Sequence, residues 1–171
     1  MLSSGVQPAT NPRKLDPDAL ASIGIFGGLP AEVLVDLALL DQLDVGVGEP
    51  CFREGDSARE MFVVLSGELE VTKRSRSGHE GRVALLGPND WFGEMGLVDI
   101  QPRSATVRAL APARLLRITA QDLDGLYRRD VKSYALFVLN LCRELSRRLR
   151  VADGIMADLI DHSTAWVSGR R

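Results

Sequence analysis

Between residues 43 and 118 the chain alternates short apolar, β-branched runs with glycine-bearing polar breaks. The runs lie at 45–48, 61–65, 69–72, 83–86, 105–110 and 113–118. Many short strands with closely spaced turn signals predict an antiparallel sandwich or barrel. On either side the apolar period switches to that of a helix. Asp16-Pro17 is a helix start, with Asp as N-cap and Pro at the first helical position. A second short helix follows Pro30, with Val33, Leu34, Leu37 and Leu40 on one side. Thr119-Ala-Gln-Asp122 is a capping-box variant that opens a third. From 130 to about 161 the pattern predicts one long helix. The fold class is therefore α+β: an antiparallel β core flanked by N-terminal helices and a long C-terminal helix.

The long helix carries two rows at heptad spacing: Val138, Leu145, Ala152 and Leu159, interleaved with Cys142, Leu149 and Met156. Such a seam packs either on its own domain or on a second helix across a two-fold axis. Gly154 costs about 1 kcal/mol relative to Ala in a helix interior and is expected to mark a hinge or a close contact. Residues 1–14, rich in Ser, Pro, Gly and Asn, are expected to be disordered. The folded domain is expected over 15–162, and 163–171 as a flexible tail. The charged stretch 73–82 reads as a solvated hairpin tip.

Composition narrows the function classes. At 171 residues the chain is one domain with a real core, and a net charge of −2 offers no bulk attraction to nucleic acid or an anionic membrane. No apolar leader or membrane-length run is present, so a cytoplasmic protein is expected. Cys51 and Cys142 read as small buried thiols rather than a disulfide. His79 and His162 are too few and too far apart for a histidine metal centre, and no nucleophile–base arrangement is evident. An enzyme and a bound metal or cofactor are not expected.

The chemistry concentrates in residues 92–107, Phe-Gly-Glu-Met-Gly-Leu-Val-Asp-Ile-Gln-Pro-Arg-Ser-Ala-Thr-Val. Gly93 and Gly96 allow backbone to approach a ligand closely. A short helical turn over 94–98 leaves backbone N–H groups free for an anion. Arg103 is an always-charged fork matched to phosphate oxygens, with Ser104 and Ala105 beside it. Glu94 repels phosphate and is better placed to accept hydrogen bonds from sugar hydroxyls. Together they suit a nucleotide with an intact ribose 2′-OH.

At these residues the chain resembles cyclic-nucleotide-binding domains, the effector domains of catabolite activator proteins, kinase regulatory subunits and gated channels. Phe-Gly-Glu-Met-Gly-Leu, four residues, then Pro-Arg-Ser-Ala-Thr-Val looks like their phosphate-binding cassette. Gly55 and Gly67 resemble turns between early strands, and Gly-Ile-Phe-Gly-Gly-Leu-Pro at 24–30 resembles the family's leading helical segment.

The resemblance implies a jelly roll (double-stranded β-helix) and a cyclic nucleotide as ligand. Glu94 is expected on the 2′-OH and Arg103 on an exocyclic phosphate oxygen. Gly93, Met95, Gly96, Ser104 and Ala105 are expected around the phosphate, Val83 along the wall and Arg148 on the helix side. It also implies a homodimer through 135–159, with ligand occupancy relayed by the C-terminal helices to a partner or output domain.

Where catabolite activator protein reads adenine with Thr-Ser, this chain places Ala152 and Asp153. Ionised Asp153 accepts hydrogen bonds, which suits the N1–H and N2–H donors of guanine. cAMP is the default ligand and cGMP the alternative. The basic run Arg147-Arg148-Leu149-Arg150 raises a DNA-binding regulator as another reading. The residues after 155 are too few for a helix-turn-helix, so nucleic-acid binding by this chain is not expected. Trp166 is a possible lid over the base.

Overall fold

The computed structural model describes residues 6–99 and 101–168, with side chains in the last helix as far as 161. Among the described residues nine strands form two antiparallel sheets. The first contains β1 (Val6–Pro8), β2 (Gln42–Val45), β9 (Ala113–Thr119), β4 (Glu60–Ser66) and β7 (Trp91–Phe92), in that order. The second runs β3 (Pro50–Phe52), β8 (Thr106–Ala109), β5 (Leu69–Arg74), β6 (Glu80–Leu86).

The sheets face each other across Val45, Phe52, Phe62, Val64, Leu69, Phe92, Val107 and Leu115. The other side of the five-stranded sheet contributes Met61, Val63, Leu116 and Ile118 to a second core shared with the helices. That division explains the run at 61–65. A strand buried on both faces has no polar alternation, and Met61, Phe62, Val63 and Val64 are all fully buried. Val63 lies opposite Leu116, and Val64 opposite Leu115.

The helical layer comprises α1 (Pro17–Ala21), a 3₁₀ turn at Gly24–Phe26, α2 (Ala31–Leu37), α4 (Ala120–Arg129) and α5 (Val131–Ser168). The short α3 (Met95–Val98) sits apart, between β7 and β8. The expected caps form. The Asp16 side chain accepts from the Asp18 amide, and Thr119 and Asp122 close a reciprocal capping box. Asp130 caps α5 by accepting from the Lys132 and Ser133 amides at 3.0 and 3.3 Å. Phe137 and Leu141 of α5 are buried against the second core. Between them Asn140 donates to the carbonyls of Ile25 and Gly27 at 3.2 and 2.9 Å, tying α5 to the 3₁₀ turn.

Several expectations are corrected. The amino-terminal segment is not disordered throughout 1–14. Val6–Pro8 pairs with Val45–Leu43, and Val6 is buried, because β2 would otherwise leave an open edge over the core. Residues 46–48 are a turn after β2 rather than strand, with Gly48 at φ +78°. β3 and β7 are too short to have shown an alternation. The last helix continues to Ser168, past the predicted end near 161 and into the stretch expected to be a flexible tail. Cys142 is exposed, whereas Cys51 is buried as expected. The lid residue Trp166 and His162 fall outside the described side chains. Nothing approaches a Cβ added at Gly154, so no close contact among the described residues accounts for it.

Candidate functional site

A cavity of about 540 Å³ opens between the four-stranded sheet, the 93–105 loop and α5. Gly93, Glu94, Met95, Gly96, Arg103, Ser104, Ala105, Val83 and Arg148 all line it. Asp153 does not: it is exposed on another side of α5, and the lining residues there are Val151, Ala152 and Ile155. One residue along a helix turns the side chain by about 100°, which separates Ala152 from Asp153.

The two glycines are sterically required. Gly93 has φ +81°, and a Cβ there would lie 2.7 Å from Nη1 of Arg103. A Cβ on Gly96 would lie 2.2 Å from the Cβ of Ala58. The tight turn brings Glu94 and Arg103 under the same cover, each only 5% exposed. The predicted turn over 94–98 is present as α3, with Glu94 preceding its first residue.

Arg103 is built in from below. Its Nη1 donates to the carbonyls of Glu60 and Gly93 at 2.8 and 2.9 Å. Nη2 lies 3.8 Å from the Glu60 carboxylate. The guanidinium stacks over Phe52, 4.0 Å from the ring centroid. Burial pulls its pKa downward, and Glu60, Asp56 and Glu94 oppose that. Its Nε is the one buried side-chain nitrogen or oxygen among the described residues with no hydrogen-bond partner. A buried donor left unsatisfied costs about 1–3 kcal/mol. Burial pushes the thiol of neighbouring Cys51 up to about 12.

The helix side is joined to the loop by Arg148. Its Nη1 donates to Glu94 Oε1 at 3.4 Å, its Nη2 to the Trp91 carbonyl at 3.0 Å and its Nε to Glu144 at 3.3 Å. The side chain also lies over the Trp91 ring at 5.6 Å. Much of the remaining wall is apolar, from Val71, Val83 and Leu85 on the sheet to Val151 and Ile155 on the helix, with Asp90 and Arg147 the charged exceptions. The cavity thus presents a buried cation, a carboxylate beside it and apolar side chains from both the sheet and the helix.

Sequence reasoning missed Phe52 and Glu60, which hold Arg103 from two distant strands and leave no local signal. Glu144, Val151 and Ile155 were legible in principle. They lie 4, 3 and 7 residues from Arg148, the spacing of one helix face. Among the described residues no group of three or more His, Cys, Asp or Glu is arranged to hold a metal ion, and no helix is long and apolar enough to cross a membrane.

The family profile described as "Cyclic nucleotide-binding domain" matches residues 44–130, which cover the cassette and most of both sheets. The chain is 36% identical over 142 residues to the cyclic AMP receptor protein of Thermus thermophilus, covering 82% of this chain and 63% of that one. It is 30% identical over 144 residues to a CRP-like cAMP-activated global transcriptional regulator of Mycobacterium tuberculosis, covering 84% and 62%. The crystal structure of Thermus thermophilus catabolite activator protein superposes with a TM-score of 0.71 at 36% identity, over 81% of this chain and 63% of that chain. The chain therefore spans under two thirds of the length of these relatives. The profile match, the shared jelly-roll fold and a cassette folded around Glu94 and Arg103 agree: the chain belongs to the cyclic-nucleotide-binding domain family.

Proposed function

We propose that the cavity binds a 3′,5′-cyclic nucleotide, cAMP in the first instance, and that occupancy is relayed through α4 and α5 to a partner or output domain. The observation that carries this reading is Arg103: a buried, pre-positioned guanidinium on the cavity wall whose Nε lacks an acceptor. A cyclic phosphate supplies acceptors for it, and Glu94 accepts from the ribose 2′-OH. The apolar walls take the purine. Asp153 lies outside the cavity, so the carboxylate that favoured guanine is missing from the base end of a single protomer. The two relatives named for cyclic AMP support the same choice.

The relay runs through Arg148. A ribose hydroxyl arriving at Glu94 enters the hydrogen-bond group that already ties this carboxylate to α5. Occupancy then favours one helix position over another, and the ligand shifts that equilibrium by its differential affinity. A second copy docks on α5, as its exposed Leu149 and Met156 require a cover.

Calorimetry with cAMP, cGMP and cyclic di-GMP in parallel tests the ligand. Arg103→Lys keeps the charge and the packing stem but loses the fork. It is expected to weaken cAMP binding by roughly tenfold or more, with the circular dichroism spectrum unchanged. Equal affinity in the variant would refute the assignment.

A further inference from the structure

The two peptide groups that flank Ser104 are both fastened, and by different means. The Arg103 carbonyl before it accepts from the Gly55 amide at 2.9 Å. The Ser104 carbonyl after it accepts from Nζ of Lys73 at 2.7 Å. Peptide groups are planar, so a residue between two fixed planes has little freedom left in φ and ψ. Ser104 lines the cavity beside Arg103. Among the described residues its amide has no acceptor, and its hydroxyl meets only Sδ of Met95, at 3.5 Å. It therefore offers two donors next to the guanidinium, held in place and free.

Lys73 is out of pattern for its position. On β5, Leu69 lies in the core between the sheets and Val71 lines the cavity. Strand alternation puts residue 73 on that same face, where an apolar side chain is expected. Two neighbours explain where the lysine goes. β8 ends at Thr106, the partner of Thr72, so the cassette loop rather than a strand runs beside Lys73. On its other side the partner is Gly81, which has no side chain to cover it. The lysine stem leans over the end of β8 and brings the ammonium to Ser104.

We propose that Lys73 is a positioning residue for the anion site: by holding the Ser104 carbonyl it presets the Ser104 amide and hydroxyl for the ligand's phosphate. The inference rests on the cyclic-nucleotide reading above and deepens it. Arg103 supplies the charge, and Lys73 supplies order. A residue that must be ordered during binding weakens the complex, whereas one ordered beforehand does not. The Lys73 contact joins a full charge to a carbonyl, so it is stronger than a neutral hydrogen bond. Of the two fastenings it is the one made by a side chain, so it is the one a substitution removes cleanly. Lys73 is not among the residues that line the cavity, so it acts through Ser104 rather than on the ligand. The rival is a bare charge that attracts the anion from a distance. Salt separates the two, since diffuse attraction is screened and a preset backbone is not.

Calorimetry with cAMP and cGMP on wild type, Lys73→Met, Lys73→Gln and Lys73→Arg, at about 0.1 and about 0.5 M salt, tests this. Lys73→Met is expected to bind roughly fivefold to tenfold more weakly at both salt concentrations. Lys73→Gln, with a neutral donor, should lie between. Lys73→Arg, which restores a charged donor, should stay within about twofold of wild type. Amide resonances add a readout that a role in folding alone would not move. The Ala105 amide belongs to the peptide that Lys73 holds, so in the free chain its resonance should shift in Lys73→Met while Tm is unchanged. The Ser104 amide should shift when nucleotide is added to wild type. Equal affinity in Lys73→Met, or a deficit that disappears at the higher salt, overturns the positioning role and leaves the nucleotide reading standing. An Ala105 resonance that is the same in free wild type and free Lys73→Met overturns it as well. Wild type that binds neither nucleotide refutes the nucleotide reading itself, and the role of Lys73 with it.

Discussion

The front and rear halves of α5 have similar apolar content and opposite surroundings. From Val131 to about Leu145 the helix is held by the second core: Phe137 is 1% exposed and Leu141 4%. Asp130 caps its start and Asn140 ties it to the 3₁₀ turn. Beyond Arg148 the apolar residues Leu149, Ile155, Met156 and Leu159 are all more than half exposed. Heptad spacing is a property of the helix alone. Whether a row meets the domain, a ligand or a second chain depends on where the other elements stop. Here the 3₁₀ turn and α4 pack on the front half, and the rear half borders the cavity through Val151, Ala152 and Ile155 and is otherwise exposed.

The largest effect should separate the halves directly. Phe137→Ala removes a fully buried ring and is expected to cost about 3–5 kcal/mol in urea denaturation. Leu149→Ala should stay within about 0.5 kcal/mol in the monomer. Similar losses for the two would mean that the rear half is packed after all. Asn140→Ala comes next. It deletes two hydrogen bonds to the 3₁₀ turn and should cost about 1–2 kcal/mol, together with faster amide exchange in residues 24–27. A variant with unchanged exchange would show that core packing alone positions α5.

The smallest effect is at the cap. Asp130→Ala should lower Tm by about 2–4 °C at neutral pH. Hydrogen bonds from the Ser133 hydroxyl and then the Ser133 amide hold the Asp130 carboxyl below its ordinary 3.8. Asp44 is held down in the same direction, chiefly by its hydrogen bonds from Arg114. A lowered folded pKa gives stability that is fully present above the ordinary aspartate range. It is lost as pH falls through the lowered value. The Tm difference between wild type and Asp130→Ala should therefore shrink below about pH 4. A gap that persists at lower pH would place the cap's contribution elsewhere.

Most elements were legible from local pattern. The runs at 61–65, 69–72, 83–86 and 113–118 became β4, β5, β6 and β9, and the starts of α1 and α4 were marked by their capping residues Asp16 and Thr119. Failures came where tertiary pairing overrode composition. Val6–Pro8 lies in a stretch of Ser, Pro and Gly, and is a strand only because β2 offers an edge. β7 has two residues, too few for any periodicity. In the site the cassette was readable as a continuous motif, because turn glycines, a carboxylate and an arginine act over eleven residues, 93–103. The groups that hold Arg103 were not, since Phe52 and Glu60 come from other strands and identify themselves only by contact.

The sequence by itself determined the local conformations, the α+β class and the cassette chemistry. Each of those depends on neighbours along the chain: capping side chains, alternation, turn glycines, a carboxylate and a cation at set spacing. Only the tertiary structure decided which face of α5 each residue occupies. It turned Ala152 into the cavity and Asp153 out of it, and exposed Leu149 and Met156 while Phe137 and Leu141 were buried. The physical reason is that a helix fixes the angles between its side chains but not its rotation against the domain. That rotation is set by contacts with residues more than a hundred positions away, Ile25 and Gly27 among them.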